Sequence, residues 1–199
     1  VMLGLISFVF IILFLKDYRK LEGYKFIFML LSIFFLLVTA ILGVTVGGSR
    51  AWLDIGGFRF QPAEIVKLLI IFFLASYLQE TKEILKSNNQ GLLMLAEPRA
   101  MTPIIIMATV ALGLLAVQKD LGAALIFFGI FLVMLYTSTG RFTFIVIGLG
   151  VFIVGAFAAY YIFNHFRLRV LVWLNPWSRI DTGGYQIAQG LFALASGGI

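Results

Sequence analysis

Three stretches of this sequence carry side chains that could do chemistry. The first runs from Gly47 to Lys67 and holds Arg50, Trp52, Arg59, Gln61, Glu64 and Lys67. Arginine suits phosphate because its planar fork donates to two oxygens at once. Arg50, Arg59 and Lys67 therefore read as an anion site. Glu64 and Lys67 stand three apart at a helix start and share a face, so an ion pair that merely orients the loop is the competing reading. Trp52 suits the depth of a membrane interface. The second stretch is Gln118-Lys119-Asp120-Leu121-Gly122. It is too short to do much except turn. Lys119 and Asp120 read either as a local salt bridge and turn cap or as part of the cavity lined by the first stretch. The third runs from Arg167 to Ile199, where Tyr185, Gln186 and Gln189 offer groups that read sugar hydroxyls or satisfy local backbone. His165 is the lone histidine and there is no cysteine. Thiolate and disulfide chemistry are excluded, and one histidine cannot build a metal site; His165 reads as an interfacial anchor.

The elements that must position these residues follow from composition. The 199 residues are 62% hydrophobic and 12% charged, against about 45–50% and about 25% in a soluble domain. Apolar runs near the 20 or so residues that cross a bilayer recur along the chain. Six spanning helices are predicted: Val1–Leu15, Phe26–Val46, Ala63–Leu78, Thr102–Val117, Leu121–Tyr136 and Phe142–Phe163. The fold class is an all-α integral membrane protein, a polytopic helix bundle forming one membrane domain over 1–199. The Pro, Gly and aromatic content of residues 164–199 reads as an ordered extramembrane loop, in which the apolar tail Ile187–Leu194 has a helical period. The stretch between Gly47 and Pro62 reads as a short amphipathic segment lying in the interface. Pro62 and Pro103 fall near helix starts, where a missing N–H costs nothing. Gly and Ser within the spans suggest close helix packing.

The net charge of +6 is distributed between apolar runs, where it sets orientation and meets anionic lipid. No basic patch with interleaved aromatics appears, so nucleic acid is not expected as a partner. Placing the loops 16–25, 79–101 and 137–141 in the cytoplasm puts eight basic residues inside and seven outside. That margin is thin for the positive-inside rule, and the basic residues kept on the outer face invite use.

Four motifs, in order and at this spacing, resemble one known family. They are Asp17-Tyr18-Arg19; Gly48-Ser49-Arg50-Ala51-Trp52 through Gln61-Pro62-Ala63-Glu64 and Lys67; Gln118-Lys119-Asp120-Leu121-Gly122; and Asn175-Pro176-Trp177 through Gly184-Tyr185-Gln186 and Gln189. The chain resembles the SEDS proteins (RodA/FtsW/SpoVE-like), ten-helix membrane enzymes that polymerise the lipid-linked disaccharide precursor of peptidoglycan. The likeness runs over the whole chain, corresponding to the second to seventh family helices and the start of the large extracellular loop. It departs from the family pattern at Ser178-Arg179-Ile180-Asp181 and at Gly190.

The resemblance implies peptidoglycan glycosyl transfer from lipid II in the bacterial cytoplasmic membrane, serving elongation, division or sporulation. It implies a class B penicillin-binding protein and membrane lipids as partners. It implies no tightly bound cofactor, and a divalent cation such as Mg or Mn accompanying the substrate pyrophosphate. The family's catalytic aspartate belongs to a motif that no residue here matches, so no catalytic residue is assigned, Asp54 and Asp181 included. The chain reads as a fragment expected not to polymerise glycan by itself. Substrate-binding residues carried over are Arg50, Trp52, Arg59, Gln61, Glu64, Lys67, Lys119, Asp120, Tyr185 and Gln186. A lipid II flippase, a secondary transporter and a non-catalytic scaffold are the competing functions; the clustering of charge at loops, away from the bilayer midplane, disfavours the transporter.

Overall fold

A computed structural model describes residues 18–87 and 98–197. The predicted first span, Val1–Leu15, lies outside the described residues, as does the His165 side chain. The chain divides into two compact units, Val1–Phe144 and Ile145–Ile199. Five described helices are long and apolar enough to cross a membrane: Leu21–Leu42, Pro62–Ile84, Arg99–Val117, Leu121–Thr139 and Thr143–Ile162. The polytopic helical membrane fold stands.

In the first unit a 3₁₀ turn (Tyr18–Tyr24) leads into α1 (Lys25–Leu42). This helix ends earlier than the predicted Val46. Gly43 leaves it in extended conformation, and the β-branched Val44-Thr45-Val46 becomes strand β1. Strands β2 (Ser49–Ile55) and β3 (Phe58–Phe60) complete a three-stranded antiparallel sheet in the order β1-β2-β3. The interfacial amphipathic segment expected between Gly47 and Pro62 is therefore this sheet, a β element in a chain predicted to be all-α. Two Gly-Gly pairs make it. Gly47 and Gly48 have φ of 59° and 85°, and Gly56 and Gly57 have φ of 62° and 88°. Positive φ at both central residues is what a type I′ hairpin turn requires, and glycine adopts it without a Cβ clash.

Helix α2 (Pro62–Ser87) opens on a proline at its first position and runs nine residues past the predicted Leu78. Its 26 residues make about 39 Å of helix at 1.5 Å each, longer than the ~30 Å apolar core, so its last turns emerge. There Glu80 pairs with Lys25 at the start of α1. Helix α3 (Pro98–Val117) starts before the predicted Thr102, so Pro98, not Pro103, occupies the first position and Pro103 lies inside the helix. Helices α4 (Leu121–Thr139) and α5 (Thr143–Ile162) follow; α5 begins in the first unit and continues into the second.

The core of the first unit forms around α2. Val66, Ile70, Phe73, Leu74, Tyr77 and Leu78 recur at helical spacing and are buried against Leu36 of α1, Met107, Ala111 and Leu115 of α3, and Phe127 and Phe131 of α4. Ser32 of α1 is fully buried, as close packing requires, but the glycines matter less than expected. A Cβ added at Gly113 or Gly129 would meet nothing within 4 Å, so these spans do not pack through their glycines. Gly43 is the exception. Its added Cβ would stand 2.3 Å from the Thr39 carbonyl oxygen and 3.0 Å from that of Arg50. Both are backbone atoms that cannot step aside cheaply. Gly43→Ala is expected to destabilise the protein by about 1–3 kcal/mol, as overpacking does, read as a lowered melting temperature in detergent; an unchanged melting temperature would show that the α1–β1 junction is not tightly packed.

In the second unit, residues 164–174, read from sequence as loop, form α6 (Asn164–Leu174). A short 3₁₀ turn (Trp177–Arg179) and a π-helical turn (Ile180–Gly184) lead to α7 (Tyr185–Ala195), which covers the predicted apolar tail. Gly183 abuts Val172, with an added Cβ 3.3 Å from its Cγ2, and Trp177 packs on Phe192 with ring centroids 5.7 Å apart.

Candidate functional site

The sheet, the C-terminal ends of α1 and α3, and the N-terminal ends of α2 and α4 meet at one end of the first unit. Arg50 fastens them. Its backbone N–H donates to the Gln118 carbonyl at 2.8 Å. Its Nε donates to the Gly43 carbonyl and its Nη2 to that of Ile41, both at 2.7 Å. The last carbonyls of a helix lack intrahelical donors, and a cation there also opposes the negative end of the helix dipole. Arg50 thus caps α1, and much of its fork is engaged by backbone.

The next residues on that face of β2 are Trp52 and Asp54, at the period of two that a strand imposes. Trp52 is half-buried and faces Val44 in the register. Asp54 pairs with Arg59 across β2–β3. Arg59 Nε donates to Asp54 Oδ2 at 2.9 Å, and the Gly57 N–H donates to Oδ1 at 3.0 Å. These two partners, Arg59 first, hold the Asp54 carboxyl below its ordinary 3.8. The Arg59 side chain is 60% exposed, and its terminal nitrogens have no hydrogen-bond partner among the described residues. Lys67 Nζ lies 2.7 Å from Glu64 Oε2 on the first turns of α2, so the shared face read from sequence is an ion pair.

The 118–122 turn lies at the same end. Asp120 N–H donates to the Leu115 carbonyl and Lys119 N–H to that of Ala116, both at 3.0 Å. These are the two bonds of a Schellman motif, whose left-handed position normally holds glycine. Here Lys119 holds it, at φ 58°, and it is exposed. Asp120 caps α4, its Oδ1 accepting from the Ala123 N–H at 3.1 Å, while Oδ2 accepts from Gln61 Nε2 at 2.7 Å. The turn cap read from sequence is present. The Lys119–Asp120 salt bridge offered with it is not: the ion pairs among the described residues are Lys25–Glu80, Arg59–Asp54 and Lys67–Glu64. Asp120→Ala removes a cap and leaves Gln61 without its acceptor. It is expected to cost about 0.5–2 kcal/mol, measured by thermal unfolding; full stability in that variant would mean that neither bond holds the turn.

Eight of the ten residues singled out from sequence are therefore gathered at this end: Arg50, Trp52, Arg59, Gln61, Glu64, Lys67, Lys119 and Asp120. Tyr185 and Gln186 stand on the first turn of α7 in the second unit, both exposed. Gln118 was not singled out. It is 1% exposed, and its signal in the sequence is an amide closing an apolar helix. Among the described residues no group of three or more His, Cys, Asp or Glu could hold a metal ion.

The FtsW/RodA/SpoVE family profile, described as a cell cycle protein, matches residues 1–199. The chain belongs to this family. The likeness read from the four motifs is borne out along the whole chain. The peptidoglycan glycosyltransferase RodA of Mycobacterium tuberculosis strain H37Rv is 39% identical over 203 residues, covering 100% of this chain and 43% of that protein. A probable peptidoglycan glycosyltransferase FtsW of Thiomicrospira cyclica is 35% identical, covering 85% of this chain and 42% of its own length. The chain thus spans less than half the length of these FtsW/RodA/SpoVE relatives. A solved structure concerning coordination of polymerization and crosslinking by a peptidoglycan synthase complex matches with a TM-score of 0.66 at 27% identity, over 94% of this chain and 53% of the matched one.

Proposed function

We propose that the full-length protein is a peptidoglycan glycosyltransferase of the bacterial cytoplasmic membrane that polymerises lipid II, and that the sheet end of the first unit faces the extracytoplasmic side and binds the substrate's pyrophosphate. The observation that carries the reading is 39% identity, without a missing stretch of this chain, to a protein named for that activity. In the reaction a sugar hydroxyl of one lipid-linked unit attacks the anomeric carbon of another. A C–O bond forms, the bond to the pyrophosphate oxygen breaks, undecaprenyl pyrophosphate leaves, and a carboxylate takes the hydroxyl proton. No residue of this chain is assigned as that base.

The geometry supports a division of labour at the leaving-group end. Arg59, Lys67 and Lys119 supply positive charge to the departing pyrophosphate. Asp54 holds Arg59 and Glu64 holds Lys67. Arg50, Gln61 and Asp120 fasten the sheet and the turn that carry Arg59 and Lys119, and Trp52 lies half-buried on β2. In the second unit, taken by itself, the exposed Tyr185 and Gln186 on the first turn of α7 offer hydroxyl and amide groups of the kind that bind sugar. A divalent cation would accompany the substrate's pyrophosphate in this reading, since among the described residues no group of three or more His, Cys, Asp or Glu is placed to hold one. Crosslinking in the matched synthase complex supports a class B penicillin-binding protein as partner. Purified full-length protein given lipid II is expected to yield glycan strands. Movement of the lipid across vesicles without strands would assign a flippase instead, and neither outcome would leave a scaffold.

A further inference from the structure

Gln118 does more than close a turn. Its side chain is buried at the end of α3, with Nε2 donating to the Leu36 carbonyl of α1 at 2.9 Å. Its own carbonyl accepts twice from β2, from the Arg50 N–H at 2.8 Å and from the Ser49 hydroxyl at 3.2 Å. Its N–H closes α3 on the Leu114 carbonyl. The next residue is Lys119 in the left-handed conformation, and the one after is Asp120, which holds Gln61 and starts α4. One residue therefore ties α1, α3 and the sheet together and leads directly into the turn that carries Lys119.

Stability alone does not explain an amide here. Gln118 Oε1 is buried and has no hydrogen-bond partner among the described residues, and an unpaired buried acceptor is a net cost that an apolar side chain of the same shape would avoid. From this, and resting on the polymerase reading, we infer that Gln118 is the positioning residue of the cationic end: its amide fixes the end of α3 against α1, so that the hairpin carrying Arg50 and Arg59 and the turn carrying Lys119 stand at one spacing for the pyrophosphate. It touches no substrate. Losing it loosens the spacing between cations that meet the pyrophosphate before and during the reaction, so the loss falls mainly on KM.

The test is Gln118→Met in the full-length protein, which keeps length and volume and deletes both ends of the amide. Three quantities are measured: melting temperature, hydrogen exchange of the hairpin and turn amides, and steady-state glycan synthesis from lipid II. The melting temperature is expected to hold or rise. Exchange at Arg50–Asp54 and Lys119–Asp120 is expected to quicken about ten-fold, and KM to rise about ten-fold or more with kcat changed far less, as small displacements of binding groups can cost up to about a hundred-fold. Wild-type KM overturns the inference. So does a melting temperature that falls together with kcat, which marks an ordinary packing residue. If the unmutated protein makes no glycan, the polymerase reading fails, and the exchange measurement still decides the matter: unchanged hairpin exchange in Gln118→Met overturns the positioning role, and quickened exchange at an unchanged melting temperature upholds it.

Discussion

Arg59→Ala in the full-length protein is expected to lower kcat/KM for glycan synthesis about 10²–10³-fold, the usual loss when one preorganised charge-stabilising donor is removed, with membrane insertion unaffected. The size follows from what Arg59 does and does not touch. It stands on β3, outside the helical core, with one nitrogen committed to Asp54 and its terminal nitrogens without a partner among the described residues. Deleting it opens no cavity, and an ion pair this exposed adds little to folding. What is lost is a planar fork held in place by a carboxylate, ready for phosphate oxygens. Arg59→Lys keeps the charge and loses the fork, so it is expected to fall between the two. Rates from purified protein, normalised to the inserted fraction, check both. Wild-type synthesis by the alanine variant would remove Arg59 from the site.

Lys119→Gly is expected to move stability and activity in opposite directions. A left-handed conformation costs a side-chain-bearing residue about 1–2 kcal/mol that glycine does not incur, offset in part by glycine's greater freedom in the unfolded chain. A net gain of up to about 1 kcal/mol should appear as a higher melting temperature. The same change deletes the exposed ammonium of the turn, and should lower kcat/KM about ten-fold or more. Strain of this kind tends to persist where function uses it. A variant that is both more stable and fully active would make Lys119 an incidental occupant of the turn.

Hydropathy and motif order carried most of the fold and gathered most of the site. The membrane helices α2 to α5 and the pairing of Glu64 with Lys67 follow from apolar runs and from helical spacing. The failures have particular causes. Val44-Thr45-Val46 is as apolar as the helix it follows, so hydropathy ran the first described span into β1; the Gly47-Gly48 and Gly56-Gly57 pairs were the available hairpin signal. The end of α2 was set too early, because the charged residues after Leu78 are good helix formers that hydropathy reads as loop. Lys119 gives no local hint of left-handed backbone. Its conformation is set by the closing of α3 and by the bonds that Gln118 makes to Leu36 and β2, partners far away in the chain. The capping role of Arg50 was hidden for the same reason: the carbonyls it caps become its partners only once the sheet folds back on α1.

Placement of the leaving-group pyrophosphate on the sheet end is tested most directly by the affinity of the purified full-length protein, in lipid nanodiscs, for undecaprenyl pyrophosphate. Arg59→Ala and Lys119→Ala are each expected to weaken binding about ten-fold, the order of one charge-assisted hydrogen bond, and to reduce its sensitivity to salt. Unchanged affinity and unchanged salt dependence in both variants would put the pyrophosphate elsewhere and contradict the assignment.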